Sequence, residues 1–390
     1  MDFRYPHESE SFRSELREWL ETHLTGEFRA LGTNPSFDLA TWPTRIAWEQ
    51  EMGKGGWVGI EWPREYGGRG ASVMESLVFA EEYARAGAPI RTSTFGESLL
   101  GPTLIHFGTD EQKQRFLPPI LKGDMTWCQG FSEPGAGSDL AGLTTKARLD
   151  GDQWVIDGQK VWTSQAHLSD WIFVLARTES EGPKHKGISF FLVDLNQKGI
   201  DVRSLTDMAG GEHFCEVFFD GAVTPKDLIV GKPGDGWQLA MATLGFERGT
   251  AFVGQLKRYA FEYQRLVEVA RVRGKLEEPM IRQRLADAHI GIELMRFGLY
   301  RNLSTLMRDG RPGPEASIGK LLWSQWHQSL GELATDILGA DATLSHSSGE
   351  VHDIEHAFLF SRSHTIYAGS SQVQRNIIGE RVLGLPKEPA

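Results

Sequence analysis

Three short stretches carry residue types that could do chemistry. The first is SEPGAGSD, residues 132 to 139: Gly135 and Gly137 let the backbone turn tightly and present N–H groups, and Ser132 and Ser138 add hydroxyls. Such a loop can meet phosphate or carbonyl oxygens, although it fits neither a GxGxxG turn nor a GxxxxGK[ST] loop. The second is VWTS, residues 161 to 164, where a large aromatic plane, Trp162, stands beside the hydroxyls of Thr163 and Ser164. The third is IYAGSSQVQ, residues 366 to 374, in which a polar run opens into a helix pattern and a bare methyl group stands at Ala368. His167 and His213 have no companions at ligand spacing, so no metal is expected.

These stretches sit in a chain whose character changes twice. Residues 5 to 24 place Phe12, Leu16, Trp19, Leu20 and Leu24 three and four apart, the spacing of an amphipathic helix. Further helices are expected over residues 42 to 52, 74 to 86 and 109 to 121, the last capped by Thr109 or Asp110. From residue 127 to about 233 come short β-branched and aromatic runs separated by Gly, Asp and Asn. LDGDQWVIDGQK reads as a hairpin, with turn candidates at 150–151 and 157–158. From Gly236 onward the period returns to that of long helices. The expected architecture is a multi-domain α+β chain with an N-terminal helical domain over 1–126. A central antiparallel β-barrel or sandwich follows over 127–233, and a C-terminal four-helix bundle over 234–390.

Composition narrows the function classes. The formal net charge of -11 over 390 residues argues against a phosphate-backbone binder, which needs a basic field. The two cysteines, Cys128 and Cys215, form no framework and are expected as buried thiols in a reducing compartment. The first residues lack the apolar segment of a signal peptide, and no apolar run approaches the roughly 18 residues of a membrane span. A soluble, cytoplasmic protein is the expectation.

Taken together, SEPGAGSD, DGQKVWTSQAHLSDW (157 to 171) and SRSHTIYAGSSQVQRNIIGERVLG (361 to 384) resemble the acyl-CoA dehydrogenase family. WVGIEWPREYGGRG (57 to 70) and FFDGAVTPKDLIVGKPGDGW (218 to 237) extend the resemblance over essentially the whole chain. The resemblance implies FAD as cofactor, an acyl-CoA substrate, and transfer of electrons to an electron-transfer flavoprotein. It also implies assembly as a homodimer or homotetramer, with a heterotetramer as the alternative.

Residue by residue, the resemblance implies Ser132 near flavin N1/O2, Ser164 at flavin N5 and Trp162 against the dimethylbenzene side. Cys128, Phe131 and Gly137 fall in the same cofactor-lining segment, and Ser370 and Gln372 in the C-terminal FAD-contacting stretch. Ser138 falls where the family meets the pantetheine or phosphate end of CoA. The arginine that reaches the FAD pyrophosphate would be Arg271 or Arg273, because the Phe-Gly that marks it in many relatives is absent here. Gly339 is the remaining glycine of the adenine-side segment. Flavin chemistry suits such a set, since hydroxyl donors at N1/O2 and N5 hold negative charge on the reduced ring.

Ala368 departs from the best-known branch, which carries its catalytic carboxylate there. A methyl group takes no proton. The alternative family position, at the first long helix of the C-terminal domain, is matched by Glu247 with Arg248 beside it. Leu244, Phe246 and Phe252 surround Glu247 in the sequence, and such neighbours raise a carboxyl toward the basicity of a useful base. The backbone N–H of Ala368, with Gly369, remains able to bind the thioester carbonyl. The expected reaction is oxidation of an acyl-CoA to its trans-2-enoyl-CoA with Glu247 as base. The alternatives are a subunit of a heteromeric dehydrogenase for bulky, steroid-like side chains, or a flavin monooxygenase or oxidase on the same fold.

Overall fold

The computed structural model describes residues 5–32, 37–246, 251–309, 313–344 and 350–387, with the side chains of 251–253 and 350–352 outside the description. Two compact units emerge, Met1–Thr206 with Gly211–Gly249, and Asp207–Gly210 with Thr250–Ala390.

The first unit opens with helices α1 (His7–His23), α2 (Gly26–Leu31), α3 (Trp42–Lys54), α4 (Val73–Arg85), α5 (Gly101–Phe107) and α6 (Asp110–Leu121). Helix α1 buries Phe12, Leu16 and Leu20 against Trp48, Met52 and Trp57, so its apolar stripe faces the core as its spacing predicts. Thr109 is the cap of α6: its hydroxyl accepts from Gln112 N while the Gln112 side chain accepts from Thr109 N, a reciprocal capping box. A buried ion cluster ties α3 to the segment before α5. Arg91 Nε lies 2.8 Å from Glu49 and its Nη2 2.6 Å from Glu97, whose carboxylate also accepts from Gly59 N.

Strands β1 (Trp127–Gly130), β2 (Lys146–Asp150), β3 (Gln153–Ser164), β4 (Trp171–Arg177), β5 (Ile188–Asp194), β6 (Ile200–Leu205), β7 (Phe214–Pro225) and β8 (Ile229–Val230) form one sheet. Its order is β6-β7-β3-β2-β4-β5-β8, with β1 on β4. The expected antiparallel arrangement holds for most pairs, but β1–β4 and β2–β4 are parallel. The stretch from SEPGAGSD to Thr145 returns the chain far enough for β2 to meet β4 side by side. The first turn candidate falls one residue early: Asp150 is paired with Gln153 in the ladder and the turn is Gly151–Asp152. Asp157–Gly158 is not a turn. It lies inside β3 at a register shift against β7, with Gly158 at φ +148°. A Cβ there would approach Thr145 Oγ1 to 2.6 Å, so the glycine admits β2 at close range rather than reversing the chain.

Helix α6 and the sheet share a core. Phe116 packs edge-on to Trp127 and Trp171, and Gln112 Nε2 donates to Asp227 O and Ile229 O. Helix α7 (Gly236–Phe246) belongs to this unit as well. Its Thr243 hydroxyl meets Thr103 of α5 at 2.8 Å, and Leu239 and Ala240 join the core of β5. The compact units therefore divide the chain after α7, whereas the change of sequence period falls before it.

The second unit contains α8 (Ala251–Val272), α9 (Pro279–Asp309), α10 (Ala316–Leu338), α11 (Glu350–Ser361) and the short α12 (Ser371–Ile377). Tyr259, Leu266, Leu285, Ile292, Met295, Trp323, Trp326 and Leu330 are buried among these helices. The Trp326 indole donates to Ala288 O, fixing α10 on α9. Among the described residues no helix is long and apolar enough to cross a membrane.

Candidate functional site

In the first unit the fold brings the SEPGAGSD loop to the end of β3. Val161 N donates to Ser132 O, and Glu133 and Ala136 exchange backbone hydrogen bonds at 3.0 Å, closing a tight turn. Ser132 is half-buried, while Gly135, Gly137 and Ser138 are exposed along the loop's rim.

What holds the loop is a buried ion pair that the sequence did not single out. Lys160 Nζ lies 2.8 Å from Glu133 Oε1 and donates to Phe131 O. Glu133 also accepts from Thr144 N, Thr144 Oγ1 and Thr145 N. Burial opposes ionisation of Glu133, but the charge and hydrogen bond of Lys160, with those of Thr145 and Thr144, outweigh it and hold the carboxyl down at about 2. Both residues stand inside the quoted motifs, yet the motif letters alone do not reveal that they meet.

At the end of β3 the backbone departs from extended geometry. Trp162 has φ +59° and Gln165 φ +61°, and the register against β7 shifts between Lys160 and Thr163. The bulge turns the Trp162 indole outward, 60% exposed and edge-on to Phe214 at 5.7 Å. A large indole held in solvent by a strained backbone is unusual in a sheet domain. Trp154 and Trp171, by contrast, pack into the core. Thr163 is buried and Ser164 half-buried, opposite Cys215 and Phe214.

Three buried polar atoms of this region lack a partner: Trp127 Nε1, Gln129 Nε2 and Thr163 Oγ1. An orphaned hydroxyl at Thr163, next in the chain to an exposed aromatic plane, fits a flat, hydrogen-bonding group such as a flavin. Cys128 and Phe131 are wholly or nearly buried. Burial pushes the Cys128 thiol well above its ordinary range, so it is a packing group and not a nucleophile.

The Trp162 indole gives a direct test. Trp162→Ala is expected to change the thermal stability of the cofactor-free protein by less than about 0.5 kcal/mol, because the ring is exposed. The same change should weaken FAD roughly tenfold through the lost ring contact. Differential scanning fluorimetry and a flavin fluorescence titration check the two halves.

In the second unit, Ala368 and Gly369 take left-handed backbone angles, φ +49° and +88°. Ala368 is exposed, as are Ile366 and Tyr367 before it. Ser370 caps α12 by accepting from Val373 N, and Gln372 points outward. Gln374, which the sequence reading passed over, is buried beneath the turn. Its Nε2 donates to Ala368 O and Gly369 O while its Oε1 has no partner. A Cβ at Gly369 would come within 2.3 Å of that amide.

Elsewhere in this unit, Arg273 pairs with Asp341 at 2.8 Å and donates to Leu338 O. Gly339 follows Leu338 directly at φ +62° and ends α10, so Arg273 and Gly339 are brought together. Arg271 is exposed and paired with Glu268 of its own helix. Glu247 and Arg248 lie outside the described residues. Before them in the chain, Leu244 packs on the core and the Phe246 ring lies 5.6 Å from His106.

Comparison with known proteins agrees with this organisation. Residues 6–124 match the acyl-CoA dehydrogenase N-terminal domain, 128–222 the middle domain and 234–383 the C-terminal domain. Acyl-CoA dehydrogenase IpdE1 of Mycobacterium tuberculosis is 50% identical over 381 residues, which are 97% of this chain and 98% of that protein. The solved Tcur3481-Tcur3483 steroid ACAD is 32% identical at a TM-score of 0.86, covering 100% of both chains. The ChsE4-ChsE5 complex from Mycobacterium tuberculosis is 31% identical at a TM-score of 0.83, again over 100% of each. With three consecutive domain matches and a relative at this identity over nearly its full length, the chain belongs to the acyl-CoA dehydrogenase family of FAD-dependent oxidoreductases.

Proposed function

We propose that this protein oxidises a bulky, polycyclic acyl-CoA to the trans-2-enoyl-CoA, working beside an unlike partner subunit. FAD supplies the acceptor for the β-hydride. Glu247 takes the α-proton, with Arg248 beside it. The Ala368 N–H, next to Gly369, holds the thioester carbonyl, and Ser138 meets the CoA. Ser132, Trp162 and Ser164 would hold the isoalloxazine; Gly137, Ser370 and Gln372 would contact the FAD, and Arg273, with Gly339, would serve the far end of the dinucleotide. Electrons then pass to an electron-transfer flavoprotein.

The observation that carries the base assignment is the exposed methyl of Ala368 in its left-handed turn. No Asp or Glu occurs between Glu355 and Glu380, so this turn has no carboxylate of its own and the base comes from another segment. The small side chain there also leaves room for a wide acyl group. Two similar solved proteins support the finer reading, one being named a steroid ACAD and both two-component assemblies. On α9, Ile290, Leu294 and Phe297 form an exposed apolar stripe at i, i+4 and i+7, the kind of helix face that packs against another subunit.

The experiment is anaerobic mixing of the FAD-loaded protein with butyryl-, isovaleryl-, octanoyl- and a steroid-side-chain acyl-CoA. Each is run with and without the unlike partner chain while the oxidised flavin band is followed. Bleaching by the steroid thioester is expected. Bleaching by straight-chain thioesters instead would remove the bulky-substrate reading, and no bleaching under any condition would remove the dehydrogenase reading. Rapid aerobic reoxidation after bleaching would favour an oxidase or monooxygenase.

A further inference from the structure

Under the Tyr367–Ala368–Gly369 turn lies a chain of three polar side chains that neither the fold nor the reaction scheme accounts for. Glu262 on α8, 29% exposed at its side chain, places Oε2 2.8 Å from His327 Nε2 on α10. His327 Nδ1 in turn lies 3.0 Å from His364 Nδ1. Both imidazoles are buried, at 5% and 4% exposure, and they stack at 4.9 Å. The aromatic rings of Tyr259, Trp323 and Phe360 enclose them.

Two imidazoles in an apolar enclosure are costly unless their nitrogens are paired, so a purely packing role would be served better by apolar side chains. The tautomers follow from the geometry. Burial, then the nearby His327 and the cations Arg258, Lys320 and Arg362, hold His364 down at about 2, so it carries one ring proton. His327 Nε2–H donates to Glu262, which leaves its Nδ1 bare, so His364 donates from its own Nδ1 and the chain is continuous from α8 to the turn, as suits a fixed anchor.

His364 is well placed to transmit that anchoring. It sits in the single 3-10 turn Arg362–Thr365 that delivers the Tyr367–Ala368–Gly369 segment. Ile366 N and Tyr367 N donate to Ser363 O, Lys320 Nζ donates to His364 O, and the Tyr367 ring stands edge-on to His364 at 5.5 Å. Gln328 Nε2 donates to Ser361 O and Thr365 Oγ1. Gln374 grips the far side of the turn through the Ala368 and Gly369 carbonyls.

We propose that Glu262, His327 and His364 are positioning residues: their hydrogen-bonded chain fixes the direction of the Ala368 N–H toward the acyl thioester carbonyl. The inference rests on the carbonyl-binding role given to Ala368 above. Its signature is an effect confined to ligands that have that carbonyl.

The test measures binding of two ligands to the FAD-loaded protein by calorimetry. One is a steroid-substituted 2-propenoyl-CoA thioester, which is product-like and not oxidised. The other is the matching alkenyl-CoA thioether, which lacks the carbonyl. His364→Leu is expected to weaken the thioester roughly tenfold, the scale of one lost hydrogen bond, and to leave the thioether unchanged. His364→Asn, whose amide N–H can occupy the Nδ1 position, should restore most of the loss although it fills the space less well. Glu262→Ala, a change at the half-exposed end of the chain, should shift the thioester alone by a smaller factor and guards against misfolding of the buried variants. Equal weakening of both ligands, or Leu outperforming Asn, would make the chain a packing element and overturn the proposal. Wild-type protein that binds both ligands equally would overturn the carbonyl role of Ala368 itself. That result differs from failure of the chain alone, in which the wild type still prefers the thioester and the variants match it.

Discussion

Glu247→Gln is expected to lower the rate of flavin reduction by acyl-CoA by about 10²–10⁴-fold while FAD content and acyl-CoA binding stay near wild type. The reaction needs a group that takes a proton from carbon, and the amide of Gln has the shape of the carboxylate without its basicity. Leu244 and Phe246 precede Glu247 in the sequence, and apolar neighbours raise a carboxyl's proton affinity and bring it closer to that of the substrate's α-carbon acid. Anaerobic stopped-flow absorbance of the oxidised flavin, for the native chain and the variant, measures the loss directly. Undiminished bleaching in the variant would move the base to another carboxylate, or to the partner subunit.

Lys160→Met is expected to destabilise the first unit by about 3–5 kcal/mol at neutral pH, because it leaves the Glu133 carboxylate buried without its countercharge. Two backbone N–H groups and a hydroxyl, from Thr144 and Thr145, would remain around Glu133, and they do not replace a cation at 2.8 Å. The pH dependence has a definite sign. Glu133 is held down at about 2 against an ordinary value of 4.5, so its contribution to stability is fully present above about 4.5 and is lost as pH falls toward 2. The gap between wild type and variant should therefore narrow across that interval, since protonation removes the stranded charge. Adding Glu133→Gln to Lys160→Met should recover part of the neutral-pH loss. Urea unfolding at several pH values measures all three, and a constant gap between pH 5 and pH 2.5 would show that packing of the lysine stem dominates. Because Lys160 also holds Phe131 O, the variant is expected to loosen the SEPGAGSD loop and lower FAD content as well.

The amino-acid sequence by itself determined the order of the elements, because periodicity is a local property. The stripe Phe12, Leu16 and Leu20 commits α1 to a helix with one buried face, and alternating β-formers separated by Gly and Asp commit 146–164 to a hairpin. It also determined the family, since the SEPGAGSD and VWTS segments are contiguous and carry the resemblance in their own letters.

Tertiary structure decided what depends on residues far apart in the chain. Whether Asp157–Gly158 turns or bulges depends on Thr145 approaching from β2, and the parallel contact of β2 with β4 depends on how the intervening loop returns. The pairing of Glu133 with Lys160 and the chain from Glu262 through His327 to His364 are side-chain meetings that no spacing rule encodes. In each, the cost of burying a charge or an imidazole is met in large part by a partner 27 to 65 residues away. The outward turn of Trp162 has the same origin. A local pattern predicts a strand residue there, and the register shift against β7 lifts the indole out of the sheet.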